Sequence, residues 1–364
     1  MVKFLNIQKI TNSFQPAISE AVQQVVESGW YLHGNATATF EQEFATFCNC
    51  NHCIGVANGL DALYLVLAAK RSLCPQWEDG DEVILPAMTF IATAEAVLRA
   101  GLTPVLADVG NDALIATHQL EAAISARTRA IIPVHLYGKT AAMASISDIA
   151  HRHHLFVLED AAQAHGGTDV AIHGHATAFS FYPGKNLGAL GDGGAVVTND
   201  AVLAERITAF ANYGAARKYH HEYPGCNSRL DELQAAVLSV KLQRLHADND
   251  KRRAIAQRYY DQINNPHIRL LPAHCKDSVW HIFPVFTEHR ESLQQHLDSQ
   301  GIQTIVHYPL AIHQQPCMQE HYRTSGALDH AENIAAQELS LPISPVMTDA
   351  EVETVINAVN SYRQ

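Results

Sequence analysis

The chain has 364 residues, 47% of them hydrophobic and 17% charged, with a formal net charge of −12. Such a composition excludes a largely disordered chain, which needs low hydrophobicity and high charge. The acidic balance excludes a broad electrostatic nucleic-acid footprint but leaves room for a small anion in a local pocket.

Seven cysteines over this length do not make a disulfide framework. Met1–Lys9 has no continuous apolar run of the secretory-leader kind, and no stretch approaches the roughly 18 apolar residues of a membrane span. The expectation is a reduced, cytoplasmic protein without a membrane or nucleic-acid partner. At about 150 residues per domain, the length suits two or three domains.

Strand-like and helix-like runs alternate along the first two-thirds. His52–Ala57 reads as a strand and Gly59–Lys70 as a helix, with Leu60, Leu63, Tyr64 and Leu67 on one helical face. Strands are expected at Glu82–Leu85, Pro104–Leu106, Ala130–Val134, Leu155–Leu158, Ala178–Tyr182 and Ala195–Thr198, with helices at Thr89–Arg99, Ser145–His153 and Val202–Tyr213. This alternation predicts a mostly parallel α/β sheet covered by helices. A Ser228-x-x-Asp231 capping box is expected to open a long helical segment carrying Leu230, Leu233, Val237 and Val240 and running toward Tyr260. Beyond it come a strand at Val279–Phe286, a helix at Glu291–Gln300, a strand at Ile302–Val306 and a final helix at Asp349–Tyr362. The division expected is a large α/β domain over 1–250 and a smaller α+β domain over 251–364.

In open α/β sheets, ligands bind at the carboxyl ends of the strands, where Asn58, Thr89, Asp160 and Lys185 fall. Lys185, in Ser180-Phe-Tyr-Pro-Gly-Lys-Asn-Leu-Gly, reads as a surface lysine, a phosphate-loop lysine or a Schiff-base lysine holding pyridoxal phosphate (PLP). The second reading fails, because Phe179 and Asn186 stand where glycine and Ser/Thr are required. Asp160 ends Leu155-Phe-Val-Leu-Glu-Asp. It reads as a helix cap for Ala161–Ala164 or as the partner of a pyridinium nitrogen, whose protonation turns the ring into an electron sink. Gln163, one turn on, is a candidate to contact the ring. Asn58-Gly59-Leu60-Asp61 joins a strand to a helix start, which is either an ordinary Asn-x-x-Asp cap or a phosphate site, with Ser180 as a further donor. Phe90 suits either a core position or the face of a planar cofactor.

Together these residues resemble the DegT/DnrJ/EryC1/StrS sugar aminotransferases, PLP enzymes of the aspartate aminotransferase fold (fold type I). The resemblance runs in order along nearly the whole chain. It begins with Gly34 to Phe40-Glu41, Asn58-Gly-Leu-Asp-Ala-Leu63, Pro86-Ala-Met-Thr-Phe-Ile-Ala-Thr93 and Pro133-Val-His-Leu-Tyr-Gly138. It continues with Glu159-Asp-Ala-Ala-Gln-Ala164, Ser180-Phe-Tyr-Pro-Gly-Lys-Asn186, Gly225-Cys-Asn-Ser-Arg-Leu-Asp-Glu-Leu-Gln-Ala-Ala236 and His307-Tyr-Pro309.

The resemblance implies that Lys185 binds the cofactor covalently and shuttles protons, and that Asp160 keeps the pyridine nitrogen protonated. It further implies that Gln163 and Phe90 flank the ring, and that the Gly59 and Leu60 amides with Ser180 bind the phosphate. Asn227 is expected to reach the phosphate of a neighbouring subunit, which makes the active unit a homodimer with shared sites. Leu60 departs from the Ser or Thr of many members, leaving a backbone contact only. Lys185 departs from the His of dehydratase members.

Asn58-Gly-Leu-Asp-Ala-Leu, Tyr182-Pro-Gly-Lys-Asn and Asn227-Ser-Arg-Leu-Asp-Glu look most like members that aminate C3 of a dTDP-linked 3-keto-6-deoxyhexose. The resemblance implies L-glutamate as donor and an amino sugar for surface polysaccharide such as lipopolysaccharide O-antigen; C4 amination is the close alternative. Tyr182, Tyr219, His307, Tyr308 and His313 are candidates for the sugar pocket.

Two rival readings stand beside this one. The first is a metal site at Cys48, Cys50, Cys53 and His52, or at His165, His173 and His175. It lacks a second Cys-x-x-Cys partner, and His221-Glu222 does not complete His-Glu-x-x-His because position 225 is glycine, so no metal is expected. The second is a non-catalytic PLP-binding sensor, which would normally need a DNA-binding module; the enzyme-like pattern fills the chain.

Overall fold

The computed structural model describes residues 1–217, 219–272 and 278–363. The strands are β1 (His52–Val56), β2 (Glu82–Pro86), β3 (Thr103–Ala107), β4 (Thr128–Ile131), β5 (Phe156–Asp160), β6 (Ala176–Ser180) and β7 (Gly194–Thr198), then β8 (Ala215–Arg217), β9 (His220–His221), β10 (Arg269–Leu270), β11 (Phe283–Phe286), β12 (Arg323–Thr324) and β13 (Glu338–Leu341). An eight-stranded sheet runs in the order β1-β7-β6-β5-β4-β2-β3-β12. Only β7 is antiparallel to its neighbours; the remaining pairings are parallel. The expected α/β fold with a mostly parallel central sheet is what the chain adopts.

Alternation along the strands supplies two cores. Val83 and Leu85 of β2, and Phe156 and Leu158 of β5, face the helices Gly59–Leu73, Ala92–Arg99 and Ala201–Ala211. Ile84 and Val157 point the other way, into a cluster with Leu120, Ile146 and Ile149 from the helices Thr117–Ala123 and Met143–Arg152. Successive strand residues point to opposite faces, so a strand buried on both reads as a continuous apolar run. At the β1/β7 end, Phe40 and Phe44 of the helix Asn35–Phe47 pack edge-on against Phe179 and Phe181.

Several elements differ from expectation. Ser228 and Asp231 form no capping box. The Ser228 hydroxyl accepts from the Ala57 amide at 3.1 Å, fastening the helix entry to the end of β1. Asp231 makes no side-chain cap bond, and the helix begins at Glu232. Glu232 instead caps another helix, accepting from the Gly34, Ala36 and Thr37 amides. Thr89–Arg99 is helical only from Ala92, which leaves Thr89 and Phe90 in the preceding loop.

Of Val279–Phe286, only Phe283–Phe286 is strand. Val279 donates to the Gly138 carbonyl, and the Trp280 and His281 amides lie against Gly138, so the segment is held as a loop. Ile302–Val306 forms no strand either; Ile302 bridges to Val2 and Ile305 to Ser340 as isolated pairs. The short helices at Ile7–Asn12, Ala17–Ser28, Thr117–Ala123 and Asp329–Gln337 were not expected.

The C-terminal part holds the antiparallel sheet β10-β11-β13 with the helices Arg290–Ser299 and Asp349–Ser361. The chain enters it through the helix Leu245–Gln262, and position 250 lies inside that helix. β12, from the C-terminal part, returns to pair with β3 of the large sheet. No helix among the described residues is long and apolar enough to cross a membrane.

Candidate active site

A cavity of about 790 Å³ opens where the carboxyl ends of β1, β2, β5 and β6 meet the segments at 281–282 and 303–308. Asp160, the last residue of β5, is held at this edge by its own backbone: its amide donates to the Pro133 carbonyl at 2.9 Å, and its carbonyl accepts from the His135 amide at 3.0 Å. Its neighbour Glu159 points to the opposite face, where it is fully buried. There it accepts from the Ala171 and Gly174 amides and pairs with His135 Nε2, a structural role.

The Asp160 carboxylate accepts from the Thr93 hydroxyl at 2.8 Å and the Ala162 amide at 3.2 Å. No helix forms at Ala161–Ala164, where the chain only turns, so the Ala162 contact closes a turn and is not the expected helix cap; Asp160 lines the cavity. Burial pushes its pKa up, while Thr93, Ala162 and the charges of Lys185 and His135 pull it down. A desolvated carboxylate with only neutral hydrogen-bond donors in contact suits a cation. Lys185 lines the same cavity, in a turn closed by its amide donating to the Tyr182 carbonyl at 2.8 Å. Burial lowers its pKa from 10.5 to about 8, with Asp160 opposing the fall. A substantial share of a neutral, nucleophilic amine at neutral pH follows.

Across the cavity, Asn58 caps the helix Gly59–Leu73, its side-chain oxygen accepting from the Asp61 amide at 2.8 Å. The Gly59 and Leu60 amides are left without an acceptor among the described residues, facing the cavity at a helix N-terminus. A Cβ on Gly59 would stand 2.7 Å from the Ser180 Cβ, so only glycine lets strand β6 and this turn approach so closely. Ser180 Oγ completes a small cradle of donors for an anion.

Gln163 is fixed by the Tyr137 amide, which donates to its Oε1 at 2.6 Å; its Nε2 therefore donates to the Tyr308 hydroxyl at 3.1 Å. Phe90 stays half exposed at the cavity, its ring 5.4 Å from that of Tyr308. His307 lines the wall with its pKa lowered to about 4 by burial and the charge of Lys185. An amine, an opposed carboxylate, an anion cradle and an aromatic face in one cavity fit PLP; Lys185, Asp160, Gly59, Leu60, Ser180, Gln163 and Phe90 are placed to hold it.

Tyr182 lies at the exposed rim. Three candidates lie elsewhere. His313 is directed away, its Nε2 paired with Glu332 at 2.8 Å, which removes it from this chain's pocket. Tyr219 stands exposed at the β8–β9 hairpin, and Asn227 bridges to Asn212. Sequence reasoning missed Thr93 as the partner of Asp160. It also missed His281, which lines the cavity with its pKa pushed well below the usual range by burial and the charges of Lys185 and Arg252. The apolar mouth formed by Phe4, Leu5, Ile7 and Ile305 was missed as well. Thr93 sits inside a quoted motif, so its signal was available; His281 lay in a segment read as strand.

The metal readings find no support in the geometry. No group of three His, Cys, Asp or Glu among the described residues is arranged to hold an ion. His165 is buried against Phe179 and Phe181, while His175 stacks on Phe156. Burial pushes the Cys48, Cys50 and Cys53 thiols up, as for inert cysteines in an apolar setting.

Residues 12–360 match the DegT/DnrJ/EryC1/StrS aminotransferase family. The dTDP-3-amino-3,6-dideoxy-alpha-D-galactopyranose transaminase of Aneurinibacillus thermoaerophilus is 48% identical over 100% of this chain and 99% of its own. The dTDP-3-amino-3,4,6-trideoxy-alpha-D-glucose transaminase of Streptomyces venezuelae is 44% identical over 100% and 96%. Among solved structures, S. venezuelae DesV in complex with a ketimine intermediate superposes with a TM-score of 0.93 at 43% identity, covering 99% of this chain and 97% of DesV. NtdA of Bacillus subtilis with bound cofactor PMP gives a TM-score of 0.91 at 34% identity, covering 98% and 83%.

Proposed function

We propose a specific transfer for this chain, which belongs to the DegT/DnrJ/EryC1/StrS aminotransferase family and is a PLP-dependent transaminase. It moves the amino group of L-glutamate to C3 of a dTDP-linked 3-keto-6-deoxyhexose in the cytoplasm. The product is a 3-amino-3,6-dideoxy sugar nucleotide for surface polysaccharide. The observation that carries the chemistry is the burial of the Lys185 amine and the Asp160 carboxylate in one cavity beside an anion cradle. The C3 preference rests on the likeness to the two dTDP-3-amino sugar transaminases.

When bound, PLP supplies a carbonyl that exchanges amines and a ring that withdraws the electron pair left by deprotonation at carbon. The chain supplies the rest. Lys185 Nζ, neutral in part near pH 8, takes the proton from the donor's Cα and returns one in the second half-reaction. General acid–base help of this kind is worth about 10²–10⁴-fold. Asp160, oriented by Thr93 and Ala162, would hold positive charge on the ring nitrogen. The Gly59 and Leu60 amides and Ser180 would anchor the phosphate, with Phe90 and Gln163 placed to hold the ring. Tyr182, His307 and Tyr308 line the sugar side.

The nucleotide end has a charge requirement of its own. Among the lining residues, Lys185 is the only lysine or arginine, so a diphosphate must find its cations elsewhere. The exposed hairpin β8–β9 carries Arg217 and Tyr219 outside its own chain's cavity, and Asn227 also lies outside it. These residues serve the site of a second copy, which makes the working unit a homodimer.

Incubation with glutamate and either dTDP-3-keto- or dTDP-4-keto-6-deoxyhexose, with mass spectrometry and NMR of the product, tests the reading. Amination at C3 is expected. A product aminated only at C4 overturns the regiochemistry, and no transfer to either sugar overturns the substrate class.

A further inference from the structure

Behind His307 lies a polar chain that the reaction as described leaves unused. Glu338 and Ser340, two apart on β13, share one face of that strand, and both are fully buried. The opposing segment is held in register by the Ser340 amide donating to the Ile305 carbonyl at 2.8 Å. One Glu338 oxygen accepts from the His307 amide at 2.6 Å, and the other accepts from the Ser340 hydroxyl. The same Ser340 oxygen stands 2.9 Å from His307 Nδ1. The Tyr137 hydroxyl donates to the His307 carbonyl at 2.7 Å, so the His307 backbone is held at both its amide and its carbonyl. Nε2 makes no hydrogen bond among the described residues, and His307 lines the cavity.

We propose that Glu338 and Ser340 are positioning residues that act through His307, forming a proton relay whose buried end sets which His307 nitrogen carries hydrogen in the cavity. The inference rests on the function proposed above, in which His307 faces the reactants. Ser340 has a single hydroxyl proton, and the relay follows from that count. With Glu338 ionised, Ser340 donates to it and must accept from His307 Nδ1–H, so Nε2 presents a lone pair to the cavity. With Glu338 protonated, Glu338 donates to Ser340, Ser340 donates to Nδ1, and Nε2 carries the hydrogen.

Passage between the two states balances. A proton arrives at Nε2 from the donor's ammonium group, which must lose one before its nitrogen can attack. Nδ1 releases its proton to Ser340 Oγ, and Ser340 passes its own to Glu338, whose charge goes from −1 to 0. The reverse sequence returns a proton to the cavity. The groups around the relay favour this poise. Burial raises Glu338 to about 8, opposed by Ser340, the His307 amide and the charge of Arg290. The Tyr137 and Tyr308 hydroxyls also face Glu338. Burial, and after it Lys185 and the neighbouring His281, disfavour charge on the His307 ring itself, so the ring passes a proton on and does not store it.

The test is ¹⁵N NMR of histidine-labelled holoenzyme without substrate, with the His307 signals assigned by a His307→Gln variant. Wild-type His307 is expected to carry hydrogen on Nδ1 at about pH 9.5 and on Nε2 at about pH 6.5, either side of a midpoint of about 8. Glu338→Gln keeps the shape and both hydrogen bonds, but its amide can only donate to Ser340; Nε2–H is expected at every pH. Transamination by Glu338→Gln should lose about tenfold or more in kcat, with the KM for the keto sugar nearly unchanged and the rise of rate with pH through about 8 abolished. A single His307 tautomer across the pH range in the wild-type protein overturns the relay without any variant. An unchanged pH profile in a folded Glu338→Gln protein overturns it too. Because the tautomer is read without sugar, failure of the proposed substrate leaves this result standing and is told apart from failure of the relay.

Discussion

Competitive acetylation of Lys185 in protein stripped of cofactor measures how far the fold has prepared its amine. The structure places its pKa near 8 instead of 10.5, because burial penalises the ammonium more than Asp160 supports it. At pH 7.5 a midpoint of 8 leaves about a quarter of the amine neutral, against about one part in a thousand at 10.5, a gain of roughly two-hundredfold in nucleophile. Mass spectrometry of the Lys185 peptide across pH 6–11 gives the midpoint directly. Asp160→Asn removes the charge that opposes the fall, so the midpoint should move lower still and the amine should become more reactive at neutral pH. The same variant should nonetheless lose turnover, since losing one partner of a buried charge pair costs about 2–5 kcal/mol, or about 30- to 5,000-fold. A midpoint at or above 10 that does not respond to Asp160→Asn would refute the argument that burial, opposed by Asp160, sets this amine.

Lys185→Ala should abolish transamination and the visible absorbance of lysine-bound PLP, and a spectrum and rate like wild type would remove Lys185 from the chemistry. Thr93→Val deletes the hydroxyl that donates to Asp160 at 2.8 Å. Losing a hydrogen bond to a charged group costs about 1.5–3 kcal/mol, so kcat/KM should fall about 10- to 150-fold in steady-state assays, and a fall of less than twofold would deny Thr93 its part. Gly59→Ala drives a methyl to 2.7 Å from the Ser180 Cβ; overpacking of about 1–3 kcal/mol should weaken PLP binding about 5- to 150-fold in a fluorescence titration, whereas an unchanged Kd would place the phosphate elsewhere.

The motifs that name the chemistry were legible because each is local. Asn58 to Asp61 is a strand, a cap and a helix start read off four consecutive residues, and the cap bond forms as the spacing requires. Asp160 and Lys185 each follow an apolar run that ends at the sheet edge. Alternation of apolar positions could not show where such runs stop. Val279–Phe286 has strand composition throughout, yet its first residues are drawn into a loop by the Gly138 backbone, and that loop delivers His281 to the cavity. Ser228-x-x-Asp231 looks like a capping box in one dimension, but in the fold the hydroxyl is taken by the Ala57 amide of a distant strand end.

Sequence alone determined the mostly parallel α/β architecture, through short-range periodicity, and set Lys185, Asp160 and the Asn58–Asp61 turn at one edge of the sheet, where strand ends meet. The roles expected of those residues came from the family resemblance. Only the tertiary structure decided which groups surround them: that Thr93 rather than a cation meets Asp160, that His313 pairs with Glu332 outside the pocket, and that Glu338 reaches His307 through Ser340. Desolvation and hydrogen bonding act over a few ångströms between residues far apart in the chain, and no spacing in the sequence encodes those distances.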